Sequence, residues 1–186
     1  MNHSDRVRAR CHAEGFPLVA FARAEPIPAA HAAATDAVHA GHLAGMRWMD
    51  EAWLSRATAP EAFLSGVRSL IVLGLPNHSP EPTHPGIGPA RGTVARYARG
   101  RDYHRVFESK LRRLCRALHE DFHAEARATV DYGPLLERPY AAAAGLGWLG
   151  KSTMLLAPGF GPWVMLGVIA TTLELHSDPP LKKSCG

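Results

Sequence analysis

The chain has 186 residues, 46% of them apolar and 20% charged, and carries a formal net charge of +4 at pH 7. This length supports one compact domain with its own core and is short for two. The longest apolar run, residues 163–173, is too short to cross a membrane, and the N-terminus leads into no signal-type apolar region. Three cysteines are too few for a disulfide framework. We therefore expect a cytoplasmic protein without a membrane partner.

Arginine supplies 17 of the 21 basic residues. Its planar side chain suits bidentate contacts with phosphate, which would fit a nucleic-acid partner. A GC-rich genome produces the same bias, so composition alone does not decide between these explanations.

The first half of the chain alternates helical and strand patterns. Ser4 is placed to cap a helix that closes at Gly15, and residues 18–21 form a short apolar run typical of a buried strand. The Ala-rich residues 29–40 predict a second helix, and residues 69–75 predict a central strand. The chain therefore opens in an αβ order.

The middle of the chain contains a long loop and the clearest helical pattern. Residues 76–92 hold five prolines and three glycines, which predicts a surface loop, and residues 93–97 are a candidate strand. Asp102 is placed to cap a long amphipathic helix. The apolar positions of this helix repeat at helical spacing: Tyr103, Val106, Phe107, Leu111, Leu114 and Leu118.

The last third predicts a strand, a helix, a glycine turn and a hairpin. Residues 126–131 form a strand pattern that ends in a carboxylate, and Pro139 begins an Ala-rich helix. A glycine turn over 145–150 leads into two strands, 152–156 and 163–173, with a Pro- and Gly-rich turn between them. The alternation predicts an α/β or α+β sandwich, in which helices flank a mixed β-sheet of at least four strands.

Residues 145–152, GLGWLGKS, satisfy both the phosphate-loop pattern GxxxxGK(S/T) and the dinucleotide pattern GxGxxG. Both motifs bind phosphate because a strand delivers the glycines and a helix begins after them. Here an Ala-rich helix precedes the glycines and a strand pattern follows, so we favour a helix-to-strand turn. The glycines would still let the backbone approach a large flat ligand.

His119, Glu120 and His123 match HExxH, by which zinc peptidases place two imidazoles on one helix face with Glu as general base. The match falls at the polar end of the predicted amphipathic helix, and only the distant His176 remains as a third ligand. We therefore favour solvated histidines at a helix end over a zinc site.

A first cluster with chemical potential, YARGRDYH at residues 97–104, combines arginines with aromatic rings. Its members and close neighbours are Arg96, Tyr97, Arg99, Arg101, Tyr103 and Arg105. Such a group is able to hold phosphate and to stack on a planar ring. A solvated basic turn explains the same spacing equally well.

A second cluster centres on Asp131, which stands at a predicted strand end where a carboxylate can point into a cleft. Buried against apolar neighbours, this carboxyl would have a raised pKa and would donate a proton at neutral pH. Glu137 and Arg138 are predicted instead to form an internal ion pair that fixes the loop.

Together these motifs resemble the N-terminal half of the epoxyqueuosine reductases. The resemblance rests on YARGRDYH, on the run from Asp131 through Glu137 and Arg138 to GLGWLGKS, and on PGFGPWVMLGVIATT, and it covers residues 15–186. It implies a nitroreductase-like cobalamin-binding fold and an oxidoreductase that removes the epoxide oxygen from epoxyqueuosine in the tRNA anticodon loop. The partners that it implies are tRNA and an external electron donor, and the expected state is a monomer.

The resemblance also implies roles for individual residues. Asp131 matches the family's proton donor, which acts while low-valent cobalt supplies reducing equivalents. Seven residues fall in or near stretches that contact cobalamin in the family: Arg56, Tyr97, Tyr103, Gly147, Trp148, Lys151 and Ser152. Ser152 departs from the Asn that is common after that lysine, which changes one expected hydrogen bond.

No axial histidine for cobalt is expected. Asp102 and His104 approach the DxHxxG pattern by which some cobalamin enzymes supply one, but Phe107 stands where the pattern requires glycine. A helix cap at Asp102 explains the same residues.

The terminal Ser-Cys-Gly resembles the start of the Cys-Gly-x-Cys-x-x-Cys run that opens the family's ferredoxin-like domain. The resemblance therefore implies a cobalamin-binding domain over 1–178, then a linker and the start of a truncated 4Fe-4S domain over 179–186, with Cys185 as a cluster ligand. One cysteine cannot hold a four-iron cluster, so we expect this chain alone to be unable to complete turnover.

Two alternative functions stay open from the sequence. A freestanding cobalamin-binding or carrier module would lack turnover of its own. A nucleotide-binding domain that uses residues 145–152 would bind ATP or NAD and no corrinoid, and it ranks last because its motif lacks the required order of strand and helix.

Overall fold

A computed structural model describes residues 2–78 and 94–182, which contain six helices, one 3₁₀ turn and six strands. Most of the predicted loop over 76–92, and Cys185, therefore lie outside the described residues. In chain order the elements are α1 His3–Ala13, β1 Leu18–Arg23, α2 Pro28–His39, α3 Glu51–Ala57, α4 Pro60–Phe63, β2 Ser69–Pro76, the 3₁₀ turn Arg96–Ala98, α5 Tyr103–Phe122, β3 Ala126–Thr129, α6 Glu137–Ala143, β4 Trp148–Leu149, β5 Leu155–Leu156 and β6 Val164–Thr171.

Four strands form the central sheet in the order β1-β2-β6-β3, and every neighbouring pair is antiparallel. Ile71 on β2 lies between Phe21 on β1 and Ile169 on β6. The prediction of a mixed sheet is therefore wrong for the described strands. The pattern of side chains along a segment indicates a strand, but it does not show whether that strand runs parallel or antiparallel to its neighbour. That direction depends on how the intervening chain connects the two strands.

Helices cover both faces of this sheet, as the sequence predicted. Side chains alternate between the faces along each strand, so Ile71 and Leu73 meet α1 and α5, whereas Leu70 and Val72 meet α4 and α6. All four side chains are fully buried. Each such burial stabilises the fold by about 1.5–3 kcal/mol before entropy is counted.

Helix α5 confirms the clearest sequence pattern. The Asp102 side chain accepts a hydrogen bond from the backbone N–H of His104 at 3.0 Å and so caps the helix. Phe107, Leu111 and Leu114 are buried on its inner face. The helix ends at Phe122, and the next residue, His123, caps it in a left-handed conformation.

Helix α1 begins and ends differently from the prediction. Asn2, and not Ser4, caps it, because the Asn2 side chain and Asp5 exchange hydrogen bonds in a capping box. Ser4 is buried instead, and its hydroxyl accepts a hydrogen bond from the His176 N–H at 2.8 Å. The helix stops at Ala13, two residues before Gly15.

The predicted hairpin of residues 152–156 with 163–173 does not form. Strand β6 pairs with β2 along its whole length and with β3 over residues 168–171. Strand β5 pairs with β4 in a separate two-stranded ribbon, and one isolated bridge joins Ala157 to Gly161 in the predicted turn. Both segments do contain a strand, as their composition predicted, but the partner of each strand depends on the rest of the sheet.

Smaller corrections concern the ends of elements. In the described part of residues 93–97, Arg96 and Tyr97 belong to a 3₁₀ turn and not to a strand. Strand β3 stops at Thr129, so residues 130–131 lie beyond it, and α6 begins two residues before Pro139. No described helix is both long enough and apolar enough to cross a membrane.

Candidate functional site

One edge of the sheet gathers several of the predicted site residues. Here β2 ends at Pro76 opposite Val164, where β6 begins, and β3 ends at Thr129. The loop between β3 and α6 leaves the sheet at this edge and carries Asp131, while α5 begins beside it with Tyr103. Strand ends place polar side chains at a surface without burying backbone polar groups in the core.

Asp131 is held in an unusual backbone conformation, with φ at 61°. Its side chain is 64% exposed, so the predicted burial against apolar neighbours is missing among the described residues. The reason is its position past the strand end, where no described element covers it. The Tyr103 hydroxyl donates to Asp131 Oδ2, and His104 Nε2 lies 3.5 Å from the same oxygen.

Tyr103 and His104 form a stacked pair beside this carboxylate, with ring centroids 3.9 Å apart. His104 Nδ1 also lies 2.9 Å from Asp102 Oδ1, so both of its ring nitrogens face carboxylates. Burial and the hydrogen bond to Asp131 raise the pKa of Tyr103, which keeps its hydroxyl a donor. The hydrogen bonds from His104 lower the pKa of Asp102.

Glu137, the first residue of α6, holds the main chain of the Asp131 loop. Its Oε1 accepts the backbone N–H of Asp131 at 2.6 Å. Burial raises the pKa of the Glu137 carboxyl to about 7, against the opposing effect of its backbone hydrogen bonds. The predicted ion pair with Arg138 is not formed, because Arg138 points to the Thr153 carbonyl oxygen, 3.4 Å away.

The loop after Asp131 requires its glycine and exposes a tyrosine. A Cβ on Gly133 would lie 1.7 Å from Thr129 Oγ1, so no larger residue fits there without movement. Tyr132 is mostly exposed, donates its hydroxyl to Glu108 on α5, and has its ring 5.6 Å from His104. Neither Tyr132 nor Glu108 was assigned a role from sequence, since no motif links a helix position to a loop 24 residues later.

The glycine turn after α6 confirms the helix-to-strand interpretation and shows why its glycines are needed. A Cβ on Gly147 would lie 2.5 Å from the Leu156 carbonyl oxygen, so Gly147 allows β4 and β5 to approach closely. Gly147 itself is buried, whereas Lys151 and Ser152 at the tip of the turn are exposed. The Trp148 Nε1 atom is buried and has no hydrogen-bond partner among the described residues.

Other aromatic and basic residues surround the same edge. Trp163, to which the sequence analysis gave no role of its own, is 40% exposed and has the Arg96 guanidinium 4.7 Å from its ring centroid. Tyr97 is 55% exposed, and its ring lies 6.2 Å from that of Tyr103. Arg99 donates to the Val94 carbonyl oxygen at 2.6 Å.

Arg56 lies on α3, and its side chain is exposed. The end of α3 is joined to the Asp131 loop, because the Leu136 N–H donates to the Ala57 carbonyl oxygen at 3.0 Å. No contact within the described residues brings the Arg56 side chain to Asp131.

The histidines of the HExxH match lie at the end of α5, as predicted, and His119 is 3.8 Å from Glu125. No group of three or more His, Cys, Asp or Glu side chains suited to a metal occurs within residues 2–78 and 94–182. A cluster role for Cys185 cannot be read from the structure, since that residue lies outside the described part.

Comparison with known proteins identifies relatives over nearly the whole chain. The family model "Epoxyqueuosine reductase QueG, DUF1730" matches residues 57–132. Epoxyqueuosine reductase from Synechococcus sp. (strain RCC307) is 37% identical over 187 residues, and that from Gloeobacter violaceus is 38% identical over 183. The alignments include 98% and 97% of this chain but 56% of each relative. The chain thus spans about half the length of these curated relatives.

Two solved structures share the fold. A crystal structure of epoxyqueuosine reductase with an epoxyqueuosine-modified tRNA-Tyr stem loop matches 98% of this chain and 48% of its own, with a TM-score of 0.90 and 24% identity. A reductive dehalogenase structure, described as suggesting a mechanism for B12-dependent dehalogenation, matches 98% of this chain and 21% of its own, with a TM-score of 0.61 and 17% identity. At these identities the likeness establishes a common fold.

Proposed function

The chain is related in sequence to the epoxyqueuosine reductases, which confirms the predicted resemblance, and we propose that it binds cobalamin and carries the proton donor of such an enzyme. The observation that supports this most directly is the placement of Asp131. Its exposed carboxylate lies just past the end of β3 and accepts a hydrogen bond from Tyr103, and the exposed rings of Tyr97 and Tyr132 lie beside Tyr103 and His104.

The proposed reaction reduces the epoxide of epoxyqueuosine in tRNA to an alkene. Two electrons and two protons are consumed, both carbon–oxygen bonds of the epoxide break, and the oxygen leaves as water. Cobalamin, when bound, supplies the reducing equivalents through low-valent cobalt. The electrons come from an external donor, by way of 4Fe-4S clusters for which Cys185 is the first proposed ligand.

In this proposal Asp131 delivers a proton to the departing oxygen, once bound cofactor and substrate have covered its exposed carboxyl and desolvation favours the protonated form. The Tyr103 hydroxyl engages Oδ2, whereas Oδ1 has no hydrogen-bond partner within the described residues and is available to a substrate. Tyr103 holds the carboxyl group in place and remains a neutral donor because its pKa is raised. General acid catalysis of this kind accelerates a reaction by about 10²–10⁴-fold.

The residues predicted to contact cobalamin suit a large, flat cofactor with amide side chains. Trp148 Nε1, which finds no partner within residues 2–78 and 94–182, is a donor that an amide oxygen would satisfy. Tyr97 and Tyr103 offer aromatic surface, and Lys151, Ser152 and Arg56 offer exposed polar groups. Gly147 would contribute through its backbone, since its own environment is filled by Leu156. Both ring nitrogens of His104 face carboxylates, which agrees with a cobalt that takes no histidine.

The proposed tRNA surface adjoins the same edge. The arginines at 96, 99, 101 and 105 would contact phosphates of the stem loop, which positions a nucleic acid without reading its sequence. We place the enzyme in the cytoplasm as a monomer. The proposed domain boundary stays at 178, where the Asp178 carboxylate contacts Arg8 at 2.8 Å and accepts the Phe21 N–H.

A visible-absorption titration of the purified chain with cobalamin tests the cofactor assignment. We expect saturable binding with a base-off spectrum, and unchanged binding by Asp131→Ala, because that residue acts in chemistry and not in affinity. Asp121→Ala, which removes an exposed carboxylate near the far end of α5, is the matched control. Absence of saturable binding by a chain with native circular dichroism would overturn the assignment, and ATP binding would then support the nucleotide alternative.

A further inference from the structure

The loop that carries Asp131 is held by a contact to its main chain. The Asp131 N–H donates to Glu137 Oε1 at 2.6 Å, across six residues of sequence. Asp131 has a φ of 61°, a left-handed conformation that costs a residue with a side chain about 1–2 kcal/mol. Such a conformation persists where neighbouring groups fix it.

Glu137 stands on a helix that is bound to the body of the domain, whereas the start of the loop before it is exposed. Three residues later in α6, the buried Tyr140 shares its hydroxyl between the carbonyl oxygens of Glu25 and Thr58, each 3.2 Å away. The preceding Leu136 N–H is bound to the Ala57 carbonyl oxygen at 3.0 Å. Asp131 and Tyr132 are exposed by comparison. The Glu137 carboxylate thus joins the exposed start of the loop to the body of the domain.

We propose that Glu137 is a positioning residue that fixes the backbone of Asp131 and thereby aims the Asp131 carboxyl at Tyr103 and at the reacting oxygen. The consequence for proton donation rests on the function proposed above, but the contact itself does not. A main chain released by Glu137 would be free to leave the left-handed conformation, and the carboxyl would then move away from the Tyr103 hydroxyl.

The strength of this contact depends on the charge of Glu137. An N–H bound to an ionised carboxylate is held roughly twice as strongly as one bound to a neutral acceptor. Burial has the largest effect on the Glu137 carboxyl and raises its pKa to about 7. Of the two charged side chains that act on it, Asp131 also raises this pKa and Arg138 lowers it. As long as Glu137 stays buried when the Asp131 N–H opens, ionisation above pH 7 strengthens this contact, although it lowers the free energy of unfolding of the whole domain.

Amide hydrogen exchange at Asp131, followed by NMR on the ¹⁵N-labelled chain and corrected for the intrinsic pH dependence of exchange, tests this role. Glu137→Ala removes the acceptor, and Glu137→Gln keeps an acceptor oxygen but cannot ionise. Glu61→Ala is the matched control, because exposed Glu61 accepts the N–H of Gly66, another loop residue with positive φ, at 2.9 Å.

We expect Glu137→Ala to lower the protection of the Asp131 amide by about tenfold or more. Glu137→Gln should retain most of the protection and show no change between pH 6 and 8, whereas the native chain gains protection over that range. Glu61→Ala should leave Asp131 unaffected. The proposal would be overturned if the Asp131 amide is as protected in a folded Glu137→Ala chain as in the native chain. It would also be overturned if the protection of this amide in the native chain does not change with pH.

The cobalamin titration separates this proposal from the function on which it rests. If cobalamin fails to bind while Glu137→Ala still loses protection at Asp131, the cofactor assignment is wrong and the positioning contact stands. If cobalamin binds and the exchange is unaltered by Glu137→Ala, the cofactor assignment stands and Glu137 has no positioning role.

Discussion

The buried carboxyl of Glu137 makes the stability of the domain depend on pH. Its pKa is raised by burial from the ordinary value of 4.5 to about 7. Below pH 4.5 the carboxyl is neutral in both the folded and the unfolded chain. Between pH 4.5 and 7 the folded chain binds the proton more tightly, so the free energy of unfolding falls as the pH rises through this window.

The size of this effect follows from the two pKa values. At 1.36 kcal/mol for each pH unit, a raise from 4.5 to about 7 corresponds to about 3 kcal/mol lost by pH 8. Glu137→Gln replaces the carboxyl with a neutral group of the same shape and removes this loss. Relative to the native chain, the variant should therefore gain up to about 3 kcal/mol in unfolding free energy between pH 4.5 and pH 8.

Urea unfolding of both chains at pH 4.5, 6 and 8, followed by far-ultraviolet circular dichroism, measures this gain. Glu61→Gln is the control, because Glu61 is an exposed carboxylate that also accepts a loop N–H, and its difference from the native chain should not change with pH. If the difference between Glu137→Gln and the native chain is the same at all three pH values, the Glu137 carboxyl is not desolvated and the reasoning fails.

Three further changes test the site and the core. Asp131→Asn should slow epoxide removal from a modified tRNA stem loop by about 10²–10⁴-fold, with cobalamin chemically reduced by titanium(III), and should leave cobalamin affinity unchanged; an equal rate would exclude Asp131 as the acid. Trp148→Phe should weaken cobalamin binding by about 2–12-fold without loss of stability, because the indole N–H lacks a partner in the described chain; unchanged affinity would show that this N–H does not contact the cofactor. Leu111→Ala should lower the free energy of unfolding by about 2–5 kcal/mol in urea, since Leu111 is 2% exposed in the core beneath α5; a loss below 1 kcal/mol would contradict this packing.

Elements that depend on local signals were predicted well from the sequence. Helix α5 needed only the Asp102 cap and an apolar face of period 3.6, and both are properties of adjacent residues. Strand β2 was predicted from a continuous apolar run, and it is buried on both faces in the middle of the sheet. The turn at Gly145 was predicted from the order of helix and strand around it.

Features that depend on distant partners were predicted poorly. The sequence around Ser4 satisfies the rules for a helix cap, but Asn2 caps the helix. The Ser4 hydroxyl instead accepts a hydrogen bond from the N–H of His176, far along the chain. Strand β5 has the composition of a partner for β6, yet β6 pairs with β2 and, over residues 168–171, with β3, while β5 pairs with β4. Which strands pair depends on all the strands of the sheet, so the composition of one segment does not predict its partner.

The candidate site combines both kinds of information. Asp131 was found because a carboxylate after a strand is a local signal, but its exposure and its partner Tyr103 depend on how α5 meets the end of β3. Glu137 illustrates the same limit, because adjacency to Arg138 favoured an ion pair on sequence grounds. Glu137 and Arg138 are the first two residues of α6, and their side chains leave the helix in different directions. Glu137 therefore accepts the Asp131 N–H, whereas Arg138 donates to the Thr153 carbonyl oxygen. Opposite charges on adjacent residues are therefore weak evidence that the two side chains form an ion pair. The loops that each side chain can reach decide its partner.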